Sequence, residues 1–238
     1  MKTILQNRKL FGILNLVFII AICVLNYFYQ KNGFDFTLKC ITSGCFALLG
    51  LLNLLYAAVS GAGNLRFWIS MAGGLILAML GDVLIGVNFI LGAAVFASGH
   101  ICFVIAFVFH RKFHAADFVI SAVLFLAAAA FLLFCPLLTF DVPVFRIVCI
   151  VYALIISCML GKAAGSFLKE KSTLTGIIAA GSLLFFFSDL MLVFAWFIGL
   201  WDWTNEACMG TYYPALCLLA LSMYLKVAEN RKLNKQEL

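Results

Sequence analysis

Long apolar runs separated by short polar breaks make up this chain. Eight runs can be drawn, at about 10–29, 37–59, 67–87, 89–110, 117–136, 142–162, 174–198 and 207–227. Each is close to or above the roughly 20 residues that an α-helix needs to cross a bilayer. The apolar residues are continuous rather than alternating, which excludes a transmembrane β-barrel. Lone Gly and Ser within the runs are ordinary in membrane helices. The breaks are too short to build a soluble domain. The pattern predicts an all-α polytopic membrane bundle of about eight transmembrane helices, with residues 1–238 forming a single integral membrane domain.

The first run follows Lys2, Arg8 and Lys9, as the core of a signal peptide would. It is too long for that, and it ends in Asn26-Tyr27-Phe28-Tyr29 with no small-residue cleavage site. It reads as a retained first span.

Composition sharpens this picture. Hydrophobic residues make up 66% of the chain and charged residues 11%, where a soluble domain has about half and a quarter. The mean hydropathy is +1.14. A net charge of +6 in a soluble protein would raise the question of nucleic acid. Here the basic residues sit in the breaks, where they set topology and meet anionic headgroups. The expected partners are therefore membrane lipids and no nucleic acid. Thirteen of the basic residues fall on one side of the alternating spans: Lys2, Arg8, Lys9, Arg66, Arg111, Lys112, Lys162, Lys169, Lys171, Lys226, Arg231, Lys232 and Lys235. Only Lys31, Lys39 and Arg146 fall on the other. The positive-inside rule then puts both termini in the cytoplasm. Short loops and small size point to a bacterial plasma membrane. The nine cysteines lie in or beside apolar runs and form no CxxC pair, so they read as soft packing residues rather than metal ligands or disulfides.

Against this apolar background the ionisable residues stand out. Asp82 lies in the third run and Asp189 in the seventh. An ionised side chain at the bilayer centre costs about 2.5–3.5 kcal/mol on insertion scales and normally faces the bundle interior. Gly74, Ala78, Asp82 and Gly86 are spaced by four, so the acid shares a face with small residues that admit a neighbouring helix. Asp189 follows Phe185-Phe186-Phe187 and Ser188. With both termini inside, Asp82, Asp189, His100, Lys39, Tyr212 and Tyr213 all fall within roughly 3–17 Å of one surface, at 1.5 Å per residue. Residues from five spans thus converge on one half of the membrane, as a shared polar pocket requires. Two carboxyl groups in different settings can divide acid and base work, though the residues alone do not assign which is which. Structural alternatives stand beside each reading. Either Asp can be an interhelical hydrogen bond, Lys39 can snorkel to headgroups, and His100 can be a packed core histidine. His110 and His114 form HxxxH, but Arg111 and Lys112 between them oppose a metal and no third ligand is evident. They read as interfacial anchors, and no metal is expected.

These residues carry a resemblance. Gly81-Asp82-Val83-Leu84 followed by Phe96 and Gly99-His100 resembles the signature of the YhhN-like lysoplasmalogenases. So do Ser188-Asp189, Lys39 and the Tyr212-Tyr213 pair, in order and spacing over nearly the whole chain. The chain departs from the family pattern at Cys40-Ile41-Thr42-Ser43, where members tend to have a Pro-containing stretch, and at Leu216, where a Gln is common.

The resemblance implies eight spans and hydrolysis of the vinyl ether of a lysophospholipid with an alkenyl chain. The products are a fatty aldehyde and a glycerophospho-headgroup. It implies Asp82 and Asp189 as catalytic residues. His100, Ser188, Tyr212 and Tyr213 would then contact or orient the substrate, with Lys39 near the headgroup. Protonating the outer alkene carbon leaves an oxocarbenium ion, the same problem that glycosidases meet with two carboxyl groups, so no cofactor is expected. The alternatives are a proton-coupled small-molecule transporter, since intramembrane Asp pairs also serve proton relays, and a non-catalytic lipid-binding membrane protein.

Overall fold

The computed structural model describes residues 7–236. Lys2 lies outside the described residues, as do the side chains of Lys232 and Lys235. The helices are α1 Arg8–Lys31, α2 Phe36–Val59, α3 Arg66–Ile85, α4 Phe89–His110, α5 Ala115–Phe134, α6 Pro143–Glu170, α7 Thr173–Ile198 and α8 Trp201–Gln236. All eight are long and apolar enough to cross a membrane, and no strand occurs among the described residues. The chain is a polytopic helical membrane bundle, as its hydrophobic pattern predicts.

Local chemistry sets the helix ends. The side chains of Asn7, Asp35, Asn88 and Ser172 accept backbone N–H bonds at the starts of α1, α2, α4 and α7, satisfying donors that a helix cannot satisfy itself. Pro143 opens α6, where its missing N–H is harmless. Gly199, at φ +79°, ends α7 in the left-handed conformation that glycine adopts without penalty. α8 runs unbroken through Pro214.

Three ends differ from the sequence expectation. α3 stops at Ile85, so Gly86 is an exposed cap and does not extend the small-residue face of Asp82. α6 continues to Glu170, carrying Lys162 inside the helix, fully buried, rather than in a loop. α8 extends beyond 207–227 at both ends. In the last two cases polar residues continue the helix, and hydropathy does not register them.

Packing is uneven. α8 lies at the centre, against α1, α2, α3 and α7. Polar side chains fasten it, through Trp68 Nε1–H to the Met223 carbonyl at 2.9 Å and Asn26 Nδ2–H to the Met209 carbonyl at 3.1 Å. α3 and α4 approach so closely that a Cβ on Gly92 would meet the Ile85 backbone at 2.5 Å. In contrast, the backbone of α5 neighbours only α6. Phe131 of α5 reaches across to Phe194 of α7, ring centroids 5.6 Å apart. The space beneath that reach matters for the site.

Candidate active site

Two carboxyl groups, one buried and one partly buried, are held by different partners and share one small cavity. Lys39 and Ser43 stand four residues apart near the start of α2 and so share its face. Both meet Asp82 of α3. Lys39 Nζ lies 3.2 Å from Oδ1, and Ser43 Oγ donates to Oδ2 at 2.5 Å. From α8, the Tyr213 hydroxyl donates to the same Oδ2 at 3.2 Å. Three donors, one of them an ammonium, converge on this acid, an arrangement suited to a carboxylate. Only 2% of Asp82 is exposed, so these partners replace the water it lost.

Asp189 of α7 has a different setting. The Tyr152 hydroxyl of α6 donates to Oδ2 at 2.7 Å. His100 Nε2 of α4 lies 2.7 Å from the same hydroxyl and 3.4 Å from Oδ2. His100 Nδ1 faces the Met159 thioether at 3.1 Å. Phe185 packs its ring on the imidazole, centroids 4.6 Å apart. No lysine or arginine is bonded to Asp189 among the described residues.

The Tyr212 hydroxyl donates to the Ala78 carbonyl at 3.0 Å rather than to a carboxylate. Its ring packs on Phe96 and Phe185 as a wall of the site. Ser188 Oγ lies 3.4 Å from Cys208 Sγ on the same wall.

Two spaces meet at Asp189. A cavity of about 20 Å³ has Asp82, Asp189, Ser188, Cys208 and Tyr212 on its wall. About 10–15 Å³ suffices for one water, given polar partners, and this cavity provides them. A second cavity, about 330 Å³, extends beneath α5 between Leu124, Phe131, Ile156 and Phe194. Its lining is apolar apart from Asp189 and Tyr152. Ile85, Phe96, Asp189 and Leu192 line both spaces. One carboxyl group therefore sits where a water-sized chamber walled by both acids adjoins an apolar cavity.

The structure thus brings Asp82, Lys39 and Tyr213 into one cluster and Asp189 and His100 into another, with Ser188 and Tyr212 lining the chamber between. Sequence reading missed Ser43 and Tyr152. Ser43 lies within the stretch where the chain departs from the family pattern. Tyr152 is the single tyrosine of the sixth apolar run, and the depth argument applied to that run would have found it.

The HxxxH pair is not a unit. His114 is exposed, whereas only 5% of the His110 side chain is. His110 Nε2 lies 3.5 Å from Glu170 Oε2, and one ligand atom from each of His110, Glu170 and Glu229 falls within 4.8 Å of the others. The third ligand missing from the sequence motif is therefore supplied by other helices. Lys226 Nζ pairs with Glu229 Oε2 at 2.8 Å, so one of these carboxylates already has a cationic partner.

No curated protein and no solved structure matches the chain. The model of the YhhN family matches residues 34–223, a stretch that contains Lys39, Ser43, Asp82, His100, Tyr152, Asp189 and the tyrosine pair. The chain belongs to the YhhN family.

Proposed function

We propose that this protein is a membrane-embedded hydrolase that cleaves the vinyl ether of a lysoplasmalogen to a fatty aldehyde and a glycerophospho-headgroup. The observation that carries this reading is the position of Asp189 between an apolar cavity of about 330 Å³ and a water-sized chamber of about 20 Å³ that also touches Asp82. An alkenyl chain has an apolar space to enter, the reacting double bond meets an acid, and water has a separate polar chamber.

The partners suggest a division of labour. Asp189, bonded to a phenol and an imidazole, protonates the outer alkene carbon. Asp82, held as a carboxylate by Lys39, Ser43 and Tyr213, takes a proton from the water that adds to the oxocarbenium carbon. When the hemiacetal collapses, its hydroxyl proton goes to Asp189. The proton on Asp82 goes to the departing glycerol oxygen. Both acids return to their starting states, and no other reactant is consumed. With both termini cytoplasmic, as the basic residues imply, the site lies in the outward half of a bacterial plasma membrane.

The test is aldehyde release from alkenyl lysophospholipids, with choline and ethanolamine headgroups, by the purified full-length protein in detergent. Wild type is expected to release aldehyde, and folded Asp82→Asn and Asp189→Asn to release none. A folded wild type inert on both substrates rejects this function.

A further inference from the structure

Tyr152 has no assigned part in the chemistry above, yet its hydroxyl lies 2.7 Å from both Asp189 Oδ2 and His100 Nε2. Counting donors and acceptors restricts what these three groups can do. The Met159 thioether 3.1 Å from His100 Nδ1 can only accept, so Nδ1 carries a hydrogen. Nε2 is then either bare and accepting or protonated and donating.

Each choice gives one fully bonded arrangement. With Nε2 bare, the Tyr152 hydroxyl donates to it and accepts from a protonated Asp189. With Nε2 protonated, it donates to the Tyr152 oxygen, whose hydrogen turns to the Asp189 carboxylate. The two arrangements hold the same number of protons. They interconvert when the Asp189 Oδ2–H bond breaks as a Tyr152 Oη–H bond forms, while the original Tyr152 proton passes to His100 Nε2. No electrons are transferred, and no other reactant is needed.

Resting on the hydrolase reading, we propose that Tyr152 is a proton relay between His100 and Asp189: the imidazole stores the proton of the acid, and the phenol passes it across. Both contacts fall on Oδ2, so the shared proton sits on that oxygen and is delivered when Oδ2–H turns from Tyr152 to the alkene. Packing supports a site built for this purpose. His100 is wholly buried, and its ring is held by Phe185 at 4.6 Å and Tyr152 at 5.4 Å. The other titratable groups around Tyr152 are Cys149 on its own helix and Cys208 and Tyr212 on α8. Lys39 and Asp82 are paired with each other across the small chamber. None of these bonds to the Tyr152 hydroxyl among the described contacts.

Tyr152→Phe keeps the ring on the cavity wall and removes the relay. Turnover is expected to fall by about 10²-fold, the lower end for a positioned acid–base group, with little change in KM. The alkaline limb of the kcat–pH profile should move to lower pH, because the imidazole no longer holds the proton in reserve. His100→Phe is expected to move it in the same direction. A phenol that only donated to the carboxylate would, on removal, move this limb to higher pH, so the direction separates the two roles.

A second readout needs no substrate. The infrared carboxyl band that Asp189→Asn removes should disappear at lower pH in Tyr152→Phe and His100→Phe than in wild type. If both folded variants titrate that band as wild type does, or at higher pH, the relay is wrong, whether or not the protein releases aldehyde. If the band moves to lower pH while wild type releases no aldehyde, the relay stands and the lysoplasmalogen substrate does not.

Discussion

The bundle buries two acid–lysine pairs, one at each end of the helices, and only one of them borders a cavity. Near the start of α2, Asp82 and Lys39 are 3.2 Å apart. At the opposite ends of α5 and α6, Lys162 Nζ lies 2.8 Å from Asp117 Oδ2, and both residues are at most 1% exposed. Arg111 Nη2 adds a bond to Asp117 Oδ1 at 3.1 Å, and the His114 backbone N–H donates to Oδ2 at 3.0 Å. Judged by burial and charge alone, Asp117 is the more extreme acid. It is nevertheless packed solid. A Cβ on Gly165 would collide with its Oδ1, and Gly161 closes on Ser121 in the same way. Neither cavity described above includes Asp117 or Lys162. Asp82 instead has a water-sized chamber on one side. The difference is one of space: on the proposed reading a buried charge serves chemistry only where room for a reactant adjoins it. Without that space it fastens helices.

Substitution at the acids should break this comparison most sharply. Asp189→Asn is expected to lower aldehyde release by about 10²–10⁴-fold, the range for losing a positioned acid, while the melting temperature stays close to that of wild type. Asp117→Ala should do the reverse. It strands Lys162 and Arg111, a loss of about 3–5 kcal/mol for a broken buried pair, yet turnover per folded molecule is retained. Thermal unfolding in detergent, run beside the aldehyde assay, separates the two. If Asp117→Ala abolished turnover in well-folded protein, the contrast would collapse.

Smaller effects sharpen the role of the spaces. Gly92→Ala pushes a methyl into the Ile85 backbone and is expected to destabilise the protein by about 1–3 kcal/mol, as overpacking does. Because Ile85 lines both cavities, turnover should fall as well. Ala128→Phe, beneath α5, fills part of the larger cavity. Excluding two methylenes at about 0.8 kcal/mol each corresponds to about tenfold weaker apparent affinity for long alkenyl chains. Short chains should be little affected. Equal loss on all chain lengths would show that the chain does not occupy this cavity.

Much of this contrast was legible in the sequence, though not all of it. Asp82 and Asp189 stood out because a carboxylate in an apolar run is rare. Lys39, His100 and Tyr213 followed from their depth in the membrane. Asp117 passed unnoticed and Lys162 was counted only among the loop cations, because both lie at the margins of apolar runs, where a charge is ordinary. Ser43 and Tyr152 went unseen for another reason, since hydroxyl-bearing residues are common in membrane helices. Their importance lies in which atoms they face.

The sequence by itself determined the number of membrane helices, their approximate limits, and the two rare acids that the interior must accommodate. These properties are set locally, by the transfer of about 20 consecutive residues out of water. The tertiary structure alone decided that Asp82 receives a lysine and two hydroxyls, while Asp189 receives a phenol and an imidazole. It also decided that Asp117 is sealed and that a cavity lies beneath α5. Those outcomes depend on how each helix is rotated about its axis and which helix stands beside it. Hydropathy along one chain carries no record of either.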